Sequence, residues 1–236
     1  KEAGVALIDI GGGTTDLAIF KDGIIRHTAV IPFGGNVITE DIKEGCSIIE
    51  KQAELLKIKF GSAWPGENRD TEIVSIPGLQ GRDPKEISLK TLSKIINARV
   101  VEIIEQVFLE IKNYGHNDQK KKLIGGVVLT GGGSQLKHLK QLVEYITGMD
   151  TRVGYPSEHL AGDTSEIVSS PLFATSVGLL MSALEELPAG VSSVESVDKG
   201  FKDIKDDNQS SKDIIQQRKS ILDRFGEKLK EFLDNA

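Results

Sequence analysis

A single cysteine, Cys46, in 236 residues leaves no partner for an internal disulfide, so a disulfide-stapled scaffold is excluded and a reducing compartment is expected. No apolar run approaches the roughly 18 residues that a membrane-spanning helix needs. Basic residues are outnumbered: 29 Lys and Arg stand against 35 Asp and Glu, a formal net charge of −6. No nucleic-acid partner is expected, because such binding draws on clustered Lys and Arg. Metal-ligand spacing is missing too, since His27, His116, His138 and His159 are scattered and no CxxC occurs. These histidines read as surface or loop residues, Cys46 as a packing residue and Trp64 as a loop anchor. No Ser/His/Asp arrangement can be argued, so any hydrolysis has to come from a ligand cleft. No charged-then-apolar segment and no Met lead the chain, which opens almost at once into Val5. It is read as a piece cut just upstream of a strand.

What is present suits a globular chain. Hydrophobic residues make up 39% and charged residues 27%, enough for one large domain or two small ones. The run VALIDI at 5–10 ends in three glycines, and Asp16–Phe20 and Ile24–Ile31 follow around Lys-Asp-Gly. The spacing predicts three strands in an antiparallel meander. Helices are predicted from Gly35 onward, over 47–59, over 89–114, over 135–147 and over 172–186. Short strands are predicted at 72–76, 86–89, 125–130 and 151–154. From Pro188 to Lys212 the composition turns to Ser, Asp, Lys and Gly, which reads as a flexible tether.

Two strands run into glycine triplets. Gly11-Gly12-Gly13-Thr14-Thr15 follows the first, and Gly131-Gly132-Gly133-Ser134 follows the strand at 125–130. Such turns present bare backbone N–H groups with no Cβ in the way, so they suit phosphates. The second triplet is expected to open a helix whose free N–H groups favour an anion or polar ligand. Asp9, just before the first triplet, is placed where a carboxylate holds Mg²⁺ through water. One triplet alone is an ordinary tight turn. Neither fits the P-loop pattern or G-x-G-x-x-G, because no Lys follows and the sixth positions are Asp16 and Leu136.

The run DIGGGTTDLAIFKDG resembles the second phosphate loop of the actin-like ATPases, and VVLTGGGSQL at 127–136 resembles their adenosine loop. AELLK at 53–57 is similar to the helix whose Glu and Lys flank adenosine, here Glu54 and Lys57. Gly34-Gly35 matches the glycine pair where the next helix meets the nucleotide. Alone, Glu54 and Lys57 would read as a solvated helix face; four elements in one order favour nucleotide binding. Within that superfamily PFGGNVITEDI, AELLKIKFGSA, INARVVEIIE and PLFATSVGLL resemble the bacterial cell-division family FtsA, over about residues 5–186.

The resemblance implies an α/β fold: an actin-like (ribonuclease-H-like) ATPase lobe with a small α+β subdomain and a C-terminal amphipathic helix. Residues 1–50 and 116–187 would form subdomain IIA and 51–115 the small subdomain IIB. Residues 188–212 would be a linker and 213–236 a membrane-targeting helix. It implies ATP and Mg as cofactors, filament formation by self-association, and binding of the FtsZ C-terminal peptide on the small subdomain. Lys90, Lys94 and Arg99 are candidate contacts for that acidic-tending peptide, and reversing the charge of Arg99 is expected to weaken it. The first lobe of the ATP cleft would lie upstream, so weak nucleotide binding is expected of this chain alone.

The tail carries the last signal. On a helical wheel Ile214, Ile215, Ile221, Leu222, Phe225, Leu229, Phe232 and Leu233 fall within an arc of roughly 120°. Asp223, Glu227 and Glu231 point away, while Lys219, Arg224, Lys228 and Lys230 border the arc, where long stems reach lipid headgroups. Arg218 interrupts the apolar side. Residues 218–230 hold five bases and two acids, a net of +3, a modest attraction to an anionic leaflet. A helix docked on its own domain or on a copy of itself is the plainer reading. The tether, with a root-mean-square span on the order of 25–30 Å, argues for a membrane surface instead. The expected location is the cytoplasmic face of the inner membrane at the division site. Small-molecule kinases and DnaK-type chaperones of the same superfamily are the alternatives, with MreB a further rival. None of these calls for such a tail.

Overall fold

Alternation along VALIDI buries Ala6, Ile8 and Ile10 on one face, the period of a strand within a sheet. In the computed structural model, which describes residues 2–78, 83–115, 122–157 and 168–186, this run is β1 (Val5–Ile10). β2 (Thr15–Lys21) and β3 (Ile24–Ile31) continue antiparallel. Lys21 pairs with Ile24 around Asp22-Gly23, whose φ values are 54° and 80°, as a two-residue hairpin turn demands.

Two helices follow, α1 (Gly35–Cys46) and α2 (Glu50–Phe60). A separate antiparallel pair, β4 (Ile73–Ile76) and β5 (Lys85–Ser88), leads directly into α3 (Leu89–Tyr114). At 26 residues α3 is about 39 Å long. Its buried stripe of Leu92, Ile96, Val100, Ile104, Val107 and Ile111 recurs every three or four residues, and the helix packs on α1 and on the sheet. It ends at Gly115, φ 99°, the left-handed cap that glycine adopts without a Cβ penalty.

β6 (Val127–Thr130) is buried at all four positions, as expected for a parallel strand covered on both faces. A 3₁₀ turn over Gly132–Gln135 precedes α4 (Leu139–Thr147), and β7 (Thr151–Val153) follows. A second 3₁₀ turn, Pro171–Phe173, opens α5 (Ala174–Glu186). The sheet order is β3-β2-β1-β6-β7, with β6 parallel to β1 and β7 parallel to β6. Contacts group Lys1–Ser182 into one compact unit.

One expectation is corrected. The helix predicted over 135–147 begins at Leu139, and the glycine triplet enters a 3₁₀ turn instead. Ser134 N and Leu136 N donate to Gly131 O and Gly133 O, and Ser134 Oγ donates to Gly131 O at 2.7 Å. Those donors are used inside the turn, so the free helix N-terminus expected there does not form.

Candidate functional site

β1 and β6 are parallel neighbours, so both glycine loops leave the sheet at the same edge. From that boundary the chain winds outward through β2 and β3 on one side and β7 on the other. Ligands of open α/β sheets bind beyond the carboxyl ends of parallel strands, where the winding reverses. The two triplets meet there. At Gly131 a Cβ would collide with Asp9 Oδ1 and lie 2.6 Å from Ile10 O, and one at Gly133 would run into Ile10. Gly131 also has φ 79° and ψ 173°, a region essentially reserved for glycine.

The first loop is braced from behind. Gly11 N donates to Thr14 O at 2.9 Å, closing the turn. The first two amides of α1, Gly35 N and Asn36 N, donate to Gly11 O and Gly12 O at 2.9 and 2.8 Å. Gly34 permits that approach, since a Cβ there would lie 2.6 Å from Gly11 O. The N-terminus of α1 therefore holds the loop's carbonyls. The amides of Gly12 and Gly13 find no acceptor among the described residues, both glycines are exposed, and a Cβ at Gly13 meets nothing within 4 Å. This is an open, donor-lined cradle.

The hydroxyls divide. Thr14 is exposed and donates to Asp16 at 3.0 Å. Thr15 is fully buried and its hydroxyl donates to Phe33 O at 2.8 Å. Ser134 is likewise buried over its bond to Gly131 O. Both hydroxyls thus stiffen their loops from within.

Glu54 and Lys57 of α2 reach the same place through Thr39 of α1. Lys57 Nζ donates to Gly35 O at 2.8 Å, to Thr39 Oγ1 at 2.7 Å and to Glu54 Oε2 at 2.7 Å. Three N–H groups meet three acceptors. Glu54 also accepts from the Thr39 hydroxyl. Burial pushes the Glu54 carboxyl up, but hydrogen bonds from Lys57 and Thr39, and the Lys57 charge, outweigh it and hold the group below its usual range. Its side chain is 42% exposed against 14% for Lys57, so Glu54 faces outward while Lys57 braces α1.

Asp9 sits between the two loops and accepts a hydrogen bond from Thr175 of α5 at 2.9 Å. Beside the second loop lies an open hollow of about 570 Å³, lined by Gln135, Val153, Tyr155, Ser170 and Pro171 among others. Among the described residues no three His, Cys, Asp or Glu side chains gather as a metal cluster. Asn36 and Thr39 lie in the run PFGGNVITEDI and Thr175 in PLFATSVGLL, but neither run assigned them a role. A hydroxyl four residues after Gly35 on the same helix face was the one local signal for Thr39.

The basic residues of α3 are not brought together. Lys90 pairs with Asp70 at 2.7 Å. Arg99 holds Asp41 of α1 through Nε and Nη2 at 2.6 and 3.0 Å, and Glu102 through Nη1 at 2.6 Å. The tail residues proposed for the membrane, and His116 and His159, lie outside the described residues. Trp64 is half-buried edge-on to Tyr145, and Cys46 is buried at the end of α1.

A family model described as "Cell division protein FtsA" matches residues 6–178. The chain is 40% identical over 183 residues to the cell division protein FtsA of Neisseria meningitidis, covering 78% of this chain and 43% of that protein. It is 38% identical over 192 residues to the FtsA of Pseudomonas aeruginosa, covering 81% and 45%. The chain thus spans less than half the length of these relatives. Among solved structures, MreB5 of Spiroplasma citri bound to ADP matches with a TM-score of 0.58 at 23% identity, covering 78% of this chain and 56% of that one. Its AMPPNP-bound form matches with a TM-score of 0.60 at 21% identity, covering 85% and 55%. Likeness at that identity establishes the actin-like fold. The sequence match goes further: this chain belongs to the FtsA family of cell-division proteins.

Proposed function

We propose that this chain is the second lobe of an ATP-binding, actin-like division protein that polymerises and tethers FtsZ filaments to the cytoplasmic membrane. The observation that carries the nucleotide reading is the convergence of two glycine loops, braced by α1 and by the Glu54–Lys57 pair, at the reversal point of the sheet. Gly11–Thr14 would face the phosphates with backbone donors. Glu54 and the Gly131–Gly133 turn would face adenosine, and Lys57, Thr15, Gly34, Gly35 and Ser134 would hold those surfaces in place. Asp9 suits Mg²⁺ held through water, because a single carboxylate beside an open phosphate cradle matches an ion that keeps most of its waters. Bound there, the ion would neutralise phosphate charge. ATP acts in this reading as a conformational and assembly ligand.

FtsZ binding is proposed for the small subdomain, residues 51–115, with Lys90 and Lys94 as contacts. Arg99 is engaged with Asp41 and Glu102, so reversing its charge acts on the α1–α3 contact before it acts on a peptide. No observation favours the kinase or chaperone alternatives.

Gly13→Val tests the nucleotide reading without disturbing packing, because the new side chain enters open space. The expected result is an unchanged melting temperature with ATP-induced amide shifts at Gly11–Thr14 abolished in NMR titration. Equal shifts in wild type and variant would remove the loop from the site.

A further inference from the structure

The hydrogen bond from Thr175 Oγ1 to Asp9 Oδ2 joins residues 166 apart in sequence. Pro171 and Leu172, just ahead of Thr175, are fastened to the second glycine loop. Gly131 N donates to Pro171 O at 3.2 Å, and Leu172 Cδ1 lies 3.0 Å from where a Cβ on Gly132 would be. Ser170 then caps the turn that follows, its Oγ accepting from Leu172 N and its carbonyl from Phe173 N. Thr175 therefore reaches Asp9 from a framework fixed at several points.

A second observation lies on the same face of the sheet. Asp9 and Thr130 are register partners in the parallel pair β1·β6, so their side chains leave the sheet on the same side. Thr130 is 7% exposed, and its Oγ1 is the one buried side-chain oxygen among the described residues without a hydrogen-bond partner. A buried hydroxyl left in that state is costly. It lies one strand away from Asp9 across the β1·β6 pair.

We propose that Thr175 is a positioning residue for Asp9, setting the carboxylate in the rotamer that receives hydrated Mg²⁺. The inference rests on the nucleotide reading above. Asp9 alone is a half-buried, rotatable side chain at a strand end. Donation from Thr175 fixes Oδ2 on the α5 side, and the absence of a Cβ at Gly131 leaves room for Oδ1. The same bond ties the first turn of α5 to the end of β1.

The test is a titration of this chain with ATP, followed through the amide shifts of Gly11–Gly13, once in MgCl2 and once in EDTA. It compares wild type with Thr175→Val, which keeps the shape but loses the hydroxyl, and Thr175→Ser, which keeps the hydroxyl. Thr175 is exposed, so neither change creates a cavity, and thermal melting checks that the fold is kept. Wild type is expected to bind ATP more tightly with Mg²⁺. Thr175→Val is expected to lose about tenfold of that increment, the equivalent of one hydrogen bond to a charged group, with EDTA affinity unchanged. Thr175→Ser is expected to restore it. A Mg²⁺ increment in wild type that Thr175→Val retains overturns the positioning role and leaves the nucleotide reading intact. A wild type that binds ATP with no Mg²⁺ increment removes the metal role of Asp9 and the inference with it, and a wild type whose Gly11–Gly13 amides stay unmoved by ATP even at the millimolar concentrations that weak binding calls for removes the reading itself.

Discussion

Glu54 and Lys57 were legible in the sequence as a pair, expected beside a nucleotide, but not in the division of labour the structure gives them. Lys57 has all three ammonium protons placed on protein acceptors, whereas Glu54 keeps part of its carboxylate at the surface. This arrangement predicts a pH signature. The Glu54 carboxyl titrates below its usual range in the folded chain, so the unfolded chain takes up the proton first as the pH falls. The stabilisation from the pair is complete above the unfolded-state value and is lost as the pH drops through the folded-state one. Glu54→Gln, which keeps the shape and removes the titration, is expected to be less stable than wild type at neutral pH. That gap should close on acidification below the ordinary carboxylate range, as read from urea midpoints across the pH series. A gap of constant size would mean that the carboxylate charge does not stabilise the fold. Thr39, which completes the cluster, went unnoticed because its role depends on α2 lying against α1, a contact that spacing along one helix does not report.

At the scale of elements, periodicity was a good guide where one face is buried. The stripe from Leu92 to Ile111 marked α3, expected from about 89 to 114 and found over Leu89–Tyr114, and Asp22-Gly23 marked the β2–β3 turn. It failed after β6 because the glycine triplet closes a 3₁₀ turn over Gly132–Gln135 against Ile10, a residue more than 100 positions earlier, and His138 at φ 60° delays α4 until Leu139. The same reason hid Thr175, whose partner is Asp9. Arg99 belongs here too. Basic character on α3 suggested a peptide contact, yet the guanidinium reaches across to Asp41 and joins α3 to α1, with Phe33 5.9 Å from it. Arg99 and Asp41 are only 24% and 26% exposed, so neither is well served by water if the other is removed. Arg99→Ala is expected to lower the unfolding free energy by about 1.5–3 kcal/mol, the range for a hydrogen bond to a charged group. Lys94→Ala, at an exposed position, should stay within about 0.5 kcal/mol. Urea unfolding of the two variants separates a structural residue from a surface one, and a silent Arg99→Ala would return Arg99 to the peptide-binding candidates.

For the whole molecule, the step from actin-like lobe to membrane tether depends on the tail, which lies outside the described residues and is argued from its sequence. None of the helices among the described residues is long and apolar enough to cross a membrane, and the attachment proposed above is that of a tail helix lying in the interface. The physics of such a helix separates two contributions. Lys219, Arg224, Lys228 and Lys230 attract an anionic leaflet by about 1 kcal/mol each at most, an attraction that salt screens. Insertion of Ile221, Leu222, Phe225, Leu229, Phe232 and Leu233 is insensitive to screening. The chain is therefore expected to pellet with vesicles containing anionic lipid, to pellet less but still measurably at high salt, and to remain in the supernatant when truncated after Leu187. Phe225→Glu should abolish pelleting at every salt concentration, because it places a charge at the centre of the apolar arc. Binding that vanishes entirely at high salt would reduce the tail to a basic patch without insertion. If full chain and truncation both stay in the supernatant at low salt, the helix is docked on protein or self-associated. The membrane-anchoring role would then have to be abandoned, while the fold and the family, which rest on residues 6–178, would stand.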